Sequence, residues 1–217
     1  MNKSEIILAI NKRVEKLLTG EGTGHDYWHI NRVRNTALTI AKQEKADLFV
    51  TELAALLHDI GDHKFHNGDH TVGPRMTAEW LNDYPIENEI KETVIDVVKQ
   101  ISYKGADVAT PMSSLEGKCV QDADRLDAIG AIGIARCFAY GGNKNREIYN
   151  PNQKPTMHKS FDDYKNDKGH TINHFYEKLL LLKDRMNTNY GKQMAEKRHK
   201  VMEEFLDQFY NEWDGKC

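Results

Sequence analysis

The run ELAALLHDIGD, residues 52–62, constrains this chain more than any other stretch. Leu53 to Leu57 would be apolar on nearly every side of a helix. A helix of that kind is stable only when neighbours surround it. It then ends in a histidine and an aspartate, two groups that are costly to bury unless paired, hydrogen-bonded or bound to a metal.

The surrounding periodicity is helical almost throughout. Ile6, Ile7, Ile10, Val14, Leu17 and Leu18 form a stripe, with Ser4 as the expected N-cap. The glycine-rich TGEGTGHD breaks it, and a second helix is expected from Tyr27 to about Lys45, with Ile30, Val33, Ala37, Ile40 and Ala41 on one face. Asp47 should cap a third. Residues 71–82, 88–101 and 119–140 continue the pattern, as do 173–186 and 191–213. No alternating apolar run is bounded by turn residues, so no sheet is expected. The fold class is therefore all-α, an orthogonal helical bundle in a single domain over residues 1–217. The polar stretch at about 141–170 carries two of the five prolines and reads as a lid or loop excursion.

Composition excludes some functions. A net charge of -3 argues against a polybasic surface and hence against a nucleic acid polymer as partner. A small anionic substrate needs only local positive charge. Cys119, Cys137 and Cys217 form no CxxC pair and resemble reduced intracellular thiols. The apolar residues near the N-terminus are interrupted by Asn11, Lys12, Arg13 and Glu15, unlike a signal peptide. No apolar run reaches the ~18 residues of a membrane span. The expected address is cytoplasmic, with no membrane partner.

Imidazole and carboxylate together suit a divalent first-row metal. His58 and Asp59 cannot complete its coordination alone. His29, on the inward face of the preceding helix, and Asp124, in QDADRLDAIGAIG, are the further candidates. His25 competes with His29 but sits behind Gly24 at a helix start, which suits a cap or rim role. Singly, each is weak: a lone helical His is often a hydrogen-bonded core residue, and Asp122, Asp124 and Asp127 could be a solvated face. There is no GxxxxGK[ST], GxGxxG or GxSxG, and no cysteine lies in a nucleophile motif. Activated water is the simplest nucleophile.

The order His, then His-Asp about thirty residues on, then Asp about sixty-five further resembles the HD superfamily of metal-dependent phosphohydrolases. HINRV is similar to its HxxRV, LLHDIG to its HD helix, and DADRLDAIGAIG to its closing Asp segment. GHDYWH and INHFYEKLLLL resemble a small stand-alone bacterial subgroup. The resemblance implies an HD-domain helical bundle with His29, His58, Asp59 and Asp124 as metal ligands. It implies one divalent ion, manganese first, with Mg, Co, Ni, Fe or Zn as alternatives. The histidines after the HD pair, His63, His66 and His70, have loop spacing, which argues against a second metal. Asp62 is the catalytic candidate, positioned to orient the attacking water, and Asp127 is the reserve. Arg32, Lys64 and Lys178 are candidates for phosphate contact. Tyr27, Trp28, His66 and Tyr103 could stack on a base, although core packing is the ordinary role for Trp28. The activity implied is hydrolysis of a nucleotide, foremost a (deoxy)nucleoside triphosphate to monophosphate and pyrophosphate. A phosphomonoesterase such as a 5'-nucleotidase and a non-catalytic metal-dependent nucleotide sensor are the alternatives.

Overall fold

The computed structural model describes residues 1–20, 26–61, 69–101, 110–157 and 169–216. All regular structure among them is helical, with no strand. They fall into two compact units, Met1–Tyr103 with Ala109–Ala123, and Lys104–Val108 with Asp124–Cys217. No helix among the described residues is long and apolar enough to cross a membrane.

The first unit holds α1 (Lys3–Leu18), α2 (Tyr27–Glu44), α3 (Leu48–Leu57), α4 (Val72–Asn82), α5 (Asn88–Gln100) and most of α6 (Leu115–Asp127). Asn2, not Ser4, caps α1: its side chain accepts from the Glu5 amide while Glu5 reaches back to the Asn2 amide. This reciprocal pair satisfies two amides where Ser4 would satisfy one. Leu17 lies off the buried stripe and is exposed. Lys45 takes a left-handed conformation after α2, and Asp47 accepts from the Phe49 and Val50 amides to start α3. The result is an antiparallel hairpin of α2 and α3. α3 also packs against α1 and α5, which explains its sequence. Leu53, Ala54, Ala55, Leu56 and Leu57 are all fully buried.

The second unit holds α7 (Gly130–Asn143), α8 (Asn173–Glu177), a 3₁₀ helix (Leu179–Arg185) and α9 (Asn189–Trp213). Stacked Phe175 and Phe205, with Phe138 edge-on, lie where α9 meets the earlier elements. The expected single helix over 119–140 is broken. Gly130 adopts φ +73, a region that favours glycine, and a Cβ there would meet Arg198 Cβ at 2.9 Å. Arg198 donates to the Leu126 carbonyl and Arg136 to the Asp127 carbonyl, so the terminal carbonyls of α6 are satisfied by arginines. The expected helix over 173–186 also divides, at Lys178, whose φ and ψ of -143 and -58 leave the helical region. The described part of the polar stretch is tied down. Thr171 and Ile172 amides donate to the Glu147 and Ile148 carbonyls, and Thr156 N–H donates to buried Glu177. Residues 158–168 lie outside the described residues.

Candidate metal centre

His29 owes its place to the start of α2. Asp26 is the N-cap, and its carboxylate accepts the His29 amide at 2.8 Å. The imidazole therefore leaves the first turn on the face that carries Val33 and Ala37 into the core, and it is 1% exposed. His58 and Asp59 follow the last turn of α3. Because the hairpin is antiparallel, the first turn of α2 lies beside the last turn of α3.

The tautomer of His58 follows from its neighbour. Its Nδ1 lies 2.8 Å from the Ala55 carbonyl, which can only accept. Nδ1 therefore carries the proton, and Nε2 keeps its lone pair. That Nε2 lies 3.3 Å from His29 Nε2, with the rings nearly edge-on at 5.3 Å. Asp59 Oδ2 lies 3.9 Å from His29 Nε2. One ligand atom from each of the three residues lies within 4.8 Å of the other two.

The separation of the two imidazole nitrogens suits a first-row cation. At a metal–nitrogen distance of about 2.1 Å, two nitrogens are about 3.0 Å apart at a right angle and about 3.4 Å at a tetrahedral angle. The observed 3.3 Å lies between the two. The carbonyl held by His58 Nδ1 is the partner such ligands commonly use to fix ring orientation. The donor set, two imidazoles and a carboxylate, suits a divalent ion.

The turn after the pair is held by contact of two backbones. A Cβ on Gly61 would lie 2.7 Å from both Cα and N of Gly73. Only glycine at position 61 lets the start of α4 approach so closely to the HD turn. The sequence carries this signal as the G of LLHDIG, but its partner Gly73 is not legible without the fold.

The other expected residues separate. Asp124 is half-buried on α6, at the start of the second unit. Arg32 is half-buried on α2, one turn after His29. Lys178 is half-buried at the break between α8 and the 3₁₀ helix. Asp62 and Lys64, with His25, His63, His66 and Tyr103, lie outside the described residues. Two readings are corrected. Trp28 is 62% exposed rather than core, because its side chain leaves α2 opposite the Ile30 and Val33 stripe. Asp122 and Asp127 are buried rather than a solvated face; Asp127 pairs with Arg136 at 2.8 Å.

Neither described cysteine has the lowered pKa that activates a thiol nucleophile. Burial, with Asp122, Glu44 and Glu116 nearby, pushes the Cys119 thiol up to about 12. Burial pushes Cys137 to about 12 despite Lys178 and Arg146. One pair near the site escaped the sequence: Arg34 of α2 and Glu52 of α3, joined by Nε to Oε1 at 2.8 Å and by a second contact from Nη2. Glu52 is the one charged residue of α3, a signal that it needs a partner.

Known proteins resemble this chain over most of its length. The HD domain family model matches residues 27–129. YpgQ of Bacillus subtilis is 38% identical over 207 residues, covering 93% of this chain and 91% of its own. An HD-superfamily hydrolase from Bacillus thuringiensis superposes with a TM-score of 0.78 at 42% identity, covering 98% of this chain and 99% of that one. YpgQ solved in complex with ADP superposes at 0.77, with 36% identity over 98% of this chain and 97% of that chain. An inward His29 beside the His58-Asp59 pair, and relatives this similar over nearly their whole length, lead to one assignment: the chain belongs to the HD superfamily of metal-dependent hydrolases.

Proposed function

We propose that this hydrolase cleaves nucleotides, foremost a (deoxy)nucleoside triphosphate between its α and β phosphates, releasing monophosphate and pyrophosphate. The observation that carries the reading is the convergence of His29, His58 and Asp59 ligand atoms within 4.8 Å. The ADP complex of YpgQ supports a nucleotide as substrate. A divalent ion bound by these groups, manganese first, would polarise a phosphoryl oxygen and acidify a bound water.

The chain's own groups divide the remaining work. His58 would present its Nε2 lone pair, His29 its Nε2 in the tautomer that carries the proton on Nδ1, and Asp59 a carboxylate oxygen. Asp124 as fourth ligand rests on the family resemblance. Asp62, three residues after Asp59, would take the proton of the attacking water. Arg32, Lys64 and Lys178 would neutralise phosphate oxygens as charge builds on them. Water adds to the α-phosphorus, the α–β anhydride bond breaks, and pyrophosphate leaves.

A panel of nucleotides with Mn²⁺, Mg²⁺, Co²⁺ and Ni²⁺, scored separately for phosphate and pyrophosphate, tests this. Pyrophosphate release with at least one triphosphate is expected. Orthophosphate as the sole product would replace the reading with a phosphomonoesterase. Tight nucleotide binding with no turnover would replace it with a sensor.

A further inference from the structure

The α2–α3 hairpin carries all three ligands of the described cluster, so its register decides whether their lone pairs converge. His29 faces His58 across the hairpin, and Arg34 faces Glu52. The position numbers sum to 87 in the first pair and 86 in the second, within one residue of the constant sum of an antiparallel pairing. Arg34 lies five residues beyond His29, and Glu52 six before His58. At 1.5 Å per residue these are about 7.5 and 9 Å of helix axis. The two contacts are thus successive rungs on one ladder.

Apolar packing draws the two helices together: α2 buries Ile30, Val33, Ala37, Ile40 and Ala41, and α3 buries Leu53 to Leu57. That attraction is non-directional. A guanidinium fork on a carboxylate is directional. Arg34 and Glu52 are only 25% and 19% exposed, so the pair is shielded from the screening that weakens surface ion pairs.

We infer that Arg34 and Glu52 are positioning residues for the metal centre: their ion pair sets the register of α2 on α3 and thereby holds His29 Nε2 against His58 and Asp59. This rests on the cluster being a metal site, and the experiment separates the two. Co²⁺ is titrated into the full chain, with its visible absorption recorded, for the parent, Arg34→Gln, Glu52→Gln and the charge-swapped double variant Arg34→Glu/Glu52→Arg. Thermal unfolding is followed in parallel. Each single variant should bind Co²⁺ more weakly, on the order of tenfold, the range seen when groups supporting metal ligands are lost. The absorption bands should shift as the ligand geometry changes. The swapped pair should recover both properties.

Parent-like affinity and spectrum in both single variants would overturn the inference, even if their melting temperatures fall. Should Arg34→Gln not fold, Arg34→Lys keeps the charge without the fork. It should show the same shift, and an unchanged spectrum and affinity would likewise overturn the inference. If the parent takes up no Co²⁺, or His58→Ala takes up as much as the parent, the metal-site reading itself falls.

Discussion

Replacing Gly61 with alanine tests how tightly the HD turn is built. The added methyl would sit 2.7 Å from Gly73 Cα and N and 3.1 Å from Val72 C. Favourable carbon contacts lie at about 3.5–4.0 Å, so the backbones must separate by roughly 1 Å. Neither side can rotate away, since all three atoms are main chain. Overpacking of this kind costs about 1–3 kcal/mol. The stiffer unfolded chain returns at most about 0.4–1 kcal/mol. A net loss of about 1–2 kcal/mol is expected, or roughly 2–8 °C in melting temperature for a chain of this size. Because Gly61 is two residues from Asp59, Mn²⁺ affinity should fall too. Gly73→Ala is the control. Its methyl would meet Gly61 O at 3.3 Å and Val98 Cγ1 at 3.4 Å, contacts that small shifts relieve, and alanine favours the helix. It should be close to neutral. Urea unfolding and calorimetric Mn²⁺ titration of both variants give the comparison. A Gly61→Ala protein as stable as the parent, or a Gly73→Ala protein equally damaged, would refute the reasoning.

Three further outcomes are expected. His58→Ala and Asp59→Ala should each lose metal and hydrolysis together while remaining folded, measured by metal analysis of purified protein beside the product assay. Asp127→Ala removes the carboxylate that half-buried Arg136 pairs with and should cost about 1–3 kcal/mol in chemical denaturation, the range for a buried polar group losing its partner. The cysteines give a pH dependence. Their folded pKa values are raised, so the native state holds protons that the unfolded chain releases. Their contribution to stability is complete below pH 9.0 and is lost as pH rises toward about 12. Site-resolved alkylation at pH 8 should label buried Cys119 far more slowly in the native than in the denatured chain, and half-buried Cys137 less so; equal rates at Cys119 would contradict its burial.

Much of this was legible beforehand, for identifiable reasons. α3 declares itself because a helix apolar on all sides needs neighbours on all sides, and α2, α1 and α5 supply them. His29 could be paired with His58 because helical spacing marked which face of α2 turns inward. Boundaries set by tertiary contact were not legible. The break at Gly130 depends on Arg198, which is distant in sequence. Asn2 outcompetes Ser4 only because Glu5 completes the capping box. The burial of Asp127 depends on Arg136 reaching back over α6 to meet it. Arg198 and Arg136 lie on other helices, beyond the window that periodicity surveys; Glu5 lies within it, but apolar spacing does not read a polar cap.

The hairpin also bears on how the centre comes into being. Bringing residues 29 and 58 together in a flexible chain would cost about 3 kcal/mol of closure entropy. Lys45 to Asp47 already reverse the chain between α2 and α3, so hairpin formation juxtaposes the ligands with no separate closure step. The His29, His58 and Asp59 cluster is thus a short-range product of about thirty consecutive residues, and α1 and α5 complete it by covering the remaining sides of α3.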